Sequence, residues 1–384
     1  MKATLTPVIQ PILIYDCLVK MALGRSRVSN VVAVSPDAMA TRRGACFPNT
    51  RAFMPEPDCT VIIPTYNRLP YLRKAIASVI AQTFVDWELL VVDDGSTDDT
   101  FAAISALSLA EPRLRILRNP GRGGPAGARN AAIVEARGRY IAFLDSDDLW
   151  DEDKLAQFME VAGAEPDAIL IGSDYRMIDQ VANTSRTACD VIYRTMMPWW
   201  ETYARTVDLL PCRELKQDRS LLARSDIVFA TTVAGFLWIH TSSVLARRDA
   251  ILAVGGFDES LARTEDIDLW LRLNERGRFI FIDLLLATHD ITGRDAAEGE
   301  RYQAHAQSRR HDEYTDWEHQ LALMQRIRER YKLSPALNSL MDDRLDYFHK
   351  NCARAAWRTG RRTVWLKHWT AGLRRAIMRR VGAS

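Results

Sequence analysis

The chain has 384 residues, 47% of them hydrophobic, which is enough for a substantial core and for two subdomains with appendages. Its 51 basic and 49 acidic residues leave a net charge of +2, which excludes bulk attraction to nucleic acid, and no nucleic-acid-binding motif appears. Cys17, Cys46, Cys59, Cys189, Cys212 and Cys352 form no C-x-x-C pair, so they fit reduced thiols in a cytoplasm and not a disulfide framework.

From the N-terminus, the apolar segment Val8 to Leu23 is interrupted by Gln10, Asp16 and Lys20. It has no leading basic cluster and no cleavage site, so no signal peptide is expected, and no run reaches the roughly 18 apolar residues of a spanning helix. Residues 24–57, rich in Ser, Arg and Pro, read as a linker, and residues 1–57 as an N-terminal extension of unassigned role. Then CTVIIPTYNR (59–68) is an apolar strand stopping at Pro64, followed by a helix pattern in Leu72, Ile76, Val79 and Ile80. Glu88 to Val92 is a second buried strand running into Asp93-Asp94-Gly95-Ser96. Ser96 with Asp99 predicts a capping box and a further helix. A third strand, Arg113 to Leu117, leads through the glycine-rich loop 121–127 to a helix over Ala126 to Ala136. That loop lacks G-x-G-x-x-G spacing and reads as a turn, not a dinucleotide fingerprint. A fourth strand, Tyr140 to Leu144, ends in Asp145-Ser146-Asp147-Asp148.

Alternating strands and helices predict an α/β fold with an open, mainly parallel sheet flanked by helices. Ligands of such sheets sit beyond the carboxyl ends of the strands, and Pro64-Thr65-Tyr66-Asn67, Asp93-Asp94 and Asp145-Ser146-Asp147 all fall there. Three Asp in four residues repel one another unless a cation neutralises them. Mg2+ or Mn2+ takes oxygen ligands and commonly arrives with substrate phosphates. The plain alternative is an acidic turn capping a helix that starts near Asp151.

In these blocks the chain resembles the family 2 inverting glycosyltransferases of GT-A fold. The matching text is VIIPTYNR, VVDDGSTDDT, GARNAAIVEARGRYIAFLDSDD and VGGFDESLARTEDIDLWLRL, over roughly residues 58 to 290. The resemblance implies a nucleotide pocket lined by Pro64, Tyr66 and Asn67, with Tyr66 against the base. Asp94 would accept a hydrogen bond from the base, a uracil if the donor is a UDP-sugar. Asp145 would hold the ribose and also stand among the metal ligands. Asp147 would ligate a Mg2+ or Mn2+ bridging the diphosphate, and Asp266, beside Glu265, would be the catalytic base. His289, after the apolar strand Phe279 to Leu286, stands where similar enzymes place a metal- or phosphate-contacting group. The other six His show no ligand spacing.

Glycosyl transfer asks for that division of labour. Expelling a nucleoside diphosphate builds negative charge that a divalent cation neutralises. The acceptor hydroxyl must lose its proton, a service for which a placed carboxylate is typically worth about 10²–10⁴-fold. Metal site and base must be separate carboxylates, and here they lie about 120 residues apart. Attack from the far face inverts the anomeric centre.

Each residue also has a plain reading. Tyr66 fits a half-buried loop aromatic, and Arg129 either reaches the diphosphate or forms a surface ion pair. Glu265 fits an orienting group or an acid placed favourably at a helix start. Asp268 is expected to be solvated.

Between Asp174 and Phe236 periodicity weakens, and Pro198-Trp199-Trp200 with Tyr203 is the candidate acceptor wall, or else a hydrophobic plug. Beyond residue 295 the pattern turns helical, with Trp317, Leu321, Met324 and Ile327 in phase. The last 38 residues carry ten Lys or Arg and no Asp or Glu. Leu366, Trp369, Leu373 and Ile377 share one helical stripe. Such a helix fits peripheral contact with an anionic membrane at the inner face of the cell membrane, or a hairpin turning at Gly360 that packs its stripe on the domain.

The expected organisation is therefore an extension (1–57), a nucleotide-sugar-binding half (58–180), an acceptor-binding half with the base (181–295) and a basic helical extension (296–384). The expected partners are a nucleotide-sugar donor and a glycan or lipid-linked acceptor of cell-surface polysaccharide synthesis. Processive synthases carry Q-x-x-R-W and spanning helices; Leu269-Trp270-Leu271-Arg272-Leu273 stands here, which favours transfer of one sugar. A nucleotidylyltransferase would need a G-x-G-T-R loop after the first strand, which is missing. A catalytically silent sugar-nucleotide-binding protein would have no chemical reason to keep Asp145, Asp147 and Asp266.

Overall fold

The structure is a computed structural model that describes residues 56–119, 124–180, 183–188, 220–221, 239–261, 263–290, 313–333 and 335–381. Pro198, Trp199, Trp200, Tyr203 and the first three residues of the 121–127 loop lie outside them, as does residues 1–55 of the N-terminal extension.

Four apolar runs form the first strands, β1 (Cys59–Thr65), β2 (Trp87–Asp93), β3 (Leu114–Arg118) and β4 (Tyr140–Phe143), joined by α1 (Leu69–Ile80), α2 (Thr100–Ser108) and α3 (Pro125–Glu135). They pair in parallel in the order β3-β2-β1-β4. Alternation sends Val61, Ile63, Leu89 and Val91 to one face, under α1, and Ile62, Leu90 and Val92 to the other, under α3. Gly138 is required at the crossing into β4, since a Cβ there would stand 2.5 Å from the Thr60 backbone nitrogen.

The rest of the sheet is mixed. A two-residue β5 (Leu149–Trp150), α4 (Lys154–Ala164), the long β6 (Ala168–Asp179), β7 (Thr184–Thr187) and β8 (Ser220–Leu221) precede a 3₁₀ turn, Thr241–Ser243. After it come β9 (Val244–Arg247), α5 (Arg248–Ala253), α6 (Glu265–Asn274) and β10 (Arg278–Asp290). β9 runs antiparallel between β4 and β6, β10 is parallel to β6, and β5, β7 and β8 pair antiparallel. The sheet is thus parallel throughout the first half and again between β6 and β10, and mixed as a whole. β9 is the reason: it reverses direction where the two halves meet, and its four residues carry too little periodicity to be read from sequence.

Three local expectations also change. Ser96 and Asp99 form no capping box: α2 starts at Thr100 with no side-chain cap from Asp99, and Asp98 accepts from the Thr100 N–H instead. The helix expected near Asp151 begins at Lys154, because residues 149–150 are drawn into β5 against Ala287 and Thr288. The strand ending at Leu286 continues to Asp290 and takes His289 into the sheet.

The helices α7 (Glu313–Arg330), α8 (Pro335–Arg358) and α9 (Arg362–Val381) form the C-terminal extension. Leu321, Met324 and Ile327 of α7 pack with Leu340, Met341, Leu345 and Phe348 of α8 against Ile267 and Leu271, on the outer face of α6. The helix that carries Asp266 is therefore wedged between the sheet and this extension.

Candidate active site

The carboxyl edge of the sheet gathers the expected acids. β1 ends at Thr65, and Asn67 takes a left-handed conformation, φ 49°. Its amide oxygen accepts from the Thr97 N–H at 2.7 Å, and its own N–H donates to Ser96 Oγ at 3.0 Å. Asn67 thus ties the first loop to the second, a structural task beside the pocket-lining one. Pro64 is buried in β1 and Tyr66 is half-buried at the edge. Asp93 is buried and accepts from the Ser96 N–H. Asp94 is half-buried, and its two oxygens accept from the Asn119 amide (2.7 Å) and the Gly124 N–H. Burial raises the Asp94 pKa, against these two hydrogen bonds and with the help of Asp93.

The turn 145–148 is held from several sides. Arg68 donates to Asp147 at 2.7 Å. Burial pushes the Asp147 carboxyl up; Arg68 opposes it, and Asp148 and Asp145 add to it. The Ser242 hydroxyl accepts from the Asp145 N–H at 3.0 Å and donates to Asp148, while Trp150 Nε1 donates to the Ser242 carbonyl at 2.8 Å. Asp148 is buried and lies 2.7 Å from His289 Nδ1. Burial alone would raise its pKa, but His289, His240 and the hydrogen bonds from His289 and Ser242 outweigh it and hold it low.

Arg129 is not a surface ion pair. It is 4% exposed and bridges Asp145 (2.7 Å) to Glu265 (2.9 Å). Burial disfavours its charge, yet Asp145 and Glu265 together hold its pKa above the ordinary guanidinium value. Glu265 and Asp266 open α6, where the helix N-terminus favours acids. Glu265 is buried; desolvation and its neighbour Asp266 raise its pKa to about 7, against Arg129. Asp266 is half-buried, accepting from Thr241 Oγ1 at 3.0 Å and from the Ile267 N–H at 2.8 Å. Of the two acids, the ion-paired Glu265 is committed to Arg129, and Asp266 is the one with access to the edge. Asp268 is not solvated but pairs with Arg272 at 2.7 Å within α6.

Sequence reasoning missed His240, Thr241 and Ser242, and treated Asp148 only as part of its acidic run. His240, expected to have no ligand spacing, stands with Asp148 and His289 so that one potential ligand atom from each lies within 4.8 Å of the others. The readable signal was the polar run His240-Thr-Ser-Ser243 just before an apolar strand. The residues fit a divalent cation on two observations. Asp147 already draws a cationic side chain in Arg68. His289, with Nδ1 on a carboxylate, has the orientation common to metal-ligating histidines.

The sequence pattern of glycosyl transferase family 2 matches residues 60–210. Over 182 residues the chain is 33% identical to the Escherichia coli UDP-Glc:alpha-D-GlcNAc-diphosphoundecaprenol beta-1,3-glucosyltransferase WfgD, a match covering 47% of this chain and 68% of that one. The chain belongs to glycosyltransferase family 2. It covers between 17% and 42% of three other curated members. Staphylococcus aureus TarS 1–349 in complex with UDP-GlcNAc superposes with a TM-score of 0.56 at 17% identity, covering 83% of this chain and 81% of that one. The Pyrobaculum calidifontis mannosyltransferase PcManGT, in complex with GDP-Man and Mn2+, gives 0.50 at 17% identity, covering 98% and 88%. Both show the fold of this family 2 chain to be GT-A-like, a curled mixed sheet flanked by helices.

Proposed function

We propose that this glycosyltransferase is a divalent-metal-dependent, inverting enzyme that moves one sugar from a nucleoside-diphosphate sugar to a hydroxyl of a glycan or lipid-linked acceptor in cell-surface polysaccharide synthesis. A UDP-sugar is the favoured donor, since WfgD is named for UDP-Glc and TarS was crystallised with UDP-GlcNAc. The observation that carries the reading is the buried Arg129 bridge, which ties the edge of Asp145 and Asp147 to the start of α6 and leaves Asp266 open to the edge.

In this reading Pro64, Tyr66 and Asp94 flank the base and Asp145 faces the ribose. Asp147 and the Nε2 of His289 would hold Mg2+ or Mn2+, which neutralises charge on the departing diphosphate when bound. Arg68, which pairs with Asp147 at 2.7 Å, would be displaced from it by such an ion. Asp266, fixed by Thr241, takes the acceptor proton as the acceptor oxygen attacks the face opposite the leaving group, and the anomeric centre inverts. Glu265 holds Arg129 and so sets the distance between the two halves.

The acceptor reading extends to the extension. Leu366, Trp369 and Leu373 are about half exposed on α9, in a helix that carries no acidic residue. Among the described residues no helix is long and apolar enough to cross a membrane. A peripheral contact with anionic lipid on the cytoplasmic face would bring the site to a lipid-linked acceptor. The test is release of nucleoside diphosphate across UDP-, GDP- and dTDP-sugars with crude lipid acceptor, with and without EDTA. Full turnover in excess EDTA would refute metal dependence, and no release from any donor would refute glycosyl transfer.

A further inference from the structure

His240 and His289 stand ring to ring, centroids 4.2 Å apart, with Tyr175 packed on both. Their hydrogen bonds make them chemically opposite. His289 Nδ1 meets a carboxylate, Asp148, which only accepts, so Nδ1 carries the proton and Nε2 the lone pair. His240 Nδ1 accepts the Ser242 N–H at 3.2 Å, so its proton sits on Nε2. The nearer Asp148 oxygen is 3.5 Å from His240 Nδ1, two acceptors too far apart for a hydrogen bond.

A neutral ring whose Nε2 is a donor cannot also be a ligand through that nitrogen, and its Nδ1 is already used. The cluster of Asp148, His240 and His289 is therefore not a three-ligand site. Asp148 itself is engaged on both oxygens, by His289 and by Ser242. Nor does capping explain the residue: the turn at Thr241–Ser243 needs only an acceptor at the Nδ1 position, which an Asn would supply. Nε2 of His240 has no hydrogen-bond partner among the described residues, and the side chain is 20% exposed.

We propose that His240 donates from Nε2 to a diphosphate oxygen of the sugar donor. The inference rests on the glycosyl-transfer reading above. The residue stands between the Asp148–His289 pair on one side and, through adjacent Thr241, Asp266 on the other. That is the gap across which the leaving group separates from the base. The edge also carries Asp145, Asp147 and Asp266, repulsive to a diphosphate, with Arg68 and Arg129 already held in ion pairs to Asp147, Asp145 and Glu265. A neutral N–H adds a favourable contact there without competing for the cation, and its hydrogen bond strengthens as charge grows on the leaving oxygens.

The experiment compares binding of UDP and UMP, and of GDP or dTDP with their monophosphates, by calorimetry in Mn2+, for wild type, His240→Asn and His240→Gln. Mn2+ alone is titrated by electron paramagnetic resonance. His240→Asn keeps the acceptor that caps the turn and deletes the donor. It should weaken the diphosphate about tenfold or more, the scale of a hydrogen bond to a charged group, and leave the monophosphate and Mn2+ within about twofold. His240→Gln, whose amide reaches the Nε2 position, should recover most of the loss. Equal diphosphate affinity in His240→Asn overturns the inference, as does loss of Mn2+ alone, which would make His240 a ligand. If His240→Asn melts early, selective ¹⁵N-histidine spectra of the wild type decide: an Nε2–H tautomer at His240 supports the inference and an Nδ1–H tautomer overturns it. Wild-type protein that binds none of the diphosphates overturns the donor reading itself, a result distinct from binding that His240→Asn leaves unchanged.

Discussion

The pairing of Asp147 with Arg68 makes the metal expectation concrete at the scale of one residue. A carboxylate that holds a guanidinium at 2.7 Å can exchange it for a divalent cation, whereas an amide would hold neither well. Asp147→Asn should nearly abolish transfer and remove the Mn2+ dependence of diphosphate binding; unchanged Mn2+ dependence in calorimetry would exclude it as a ligand. Asp266 and Glu265 separate by what each touches. Asp266→Asn should lower kcat about 10²–10⁴-fold with donor affinity near normal, because a lost general base is felt only in the chemical step. A larger loss in Glu265→Gln would reassign the base. Glu265 also has a signature in stability. Its folded pKa, raised to about 7, exceeds the usual glutamate value. Between about pH 4.5 and 7 the folded state therefore binds more protons than the unfolded, and stability from this group falls as pH rises. Thermal melts of the wild type should decline across that window and those of Glu265→Gln should lack the component. Asp145 and Asp147 stood out in sequence because they end an apolar run, whereas Asp266 was marked only by the family resemblance of VGGFDESLARTEDIDLWLRL. The bridging role of Arg129 was not legible: its partners Asp145 and Glu265 come from segments that only the sheet brings together, and an arginine in a helix looks the same whether buried or solvated.

At the scale of elements, the position of α6 depends on how α3 grips the loop before it. Asn130 on α3 accepts from the Phe257 N–H at 2.8 Å and donates to the Phe257 carbonyl at 2.9 Å. Gly256 sits at φ 70° with room for no side chain, since a Cβ would lie 2.6 Å from the Asn130 amide oxygen. Gly256→Ala should therefore cost more than about 1 kcal/mol, from strain at positive φ together with the displaced amide, and should lower kcat more than donor affinity. Denaturant unfolding checks the first part; a variant as stable as wild type would show that the loop adapts freely. The strand–helix rhythm of the first half was readable because each run is long and buried on both faces. β5, β8 and β9, of two to four residues, gave no period to read, and the direction of β9 depends on its neighbours β4 and β6. The capping box failed for a related reason: Asn67, from another loop, takes up the hydrogen bonds of the segment in which it was expected.

At the scale of the whole molecule, the two expectations for the C-terminus turn out to be compatible. The hairpin forms, with Gly360 at φ 75° between α8 and α9, and Val364 and Trp365 pack on the cluster that continues into α6. The stripe of Leu366, Trp369 and Leu373 stays about half exposed, with Trp369 stacked on Trp365, which also meets Trp357, itself 51% exposed under Arg362. The side chain of Ile377 lies outside the described residues. Deleting residues 361–384 would remove the buried His368 with Val364 and Trp365 and uncover part of that cluster, so a loss of membrane binding in the truncation would be confounded by damage to the support of α6. Substituting the exposed stripe alone avoids this. Leu366→Ser, Trp369→Ser and Leu373→Ser together remove half-exposed apolar surface and the Trp369 stack on Trp365, so the melting temperature should fall less than in the truncation. Sedimentation with vesicles of phosphatidylglycerol and phosphatidylcholine should show the wild type bound and the triple variant largely released. Wild-type binding should fall as salt rises from about 0.05 to 0.5 M, because attraction of Lys and Arg to anionic headgroups is screened. Transfer to a soluble acceptor should survive in the triple variant while transfer to a lipid-embedded one falls. Wild-type protein that ignores anionic vesicles would instead leave the stripe as a surface for another protein, and the lipid-linked acceptor would have to reach Asp266 without help from α9.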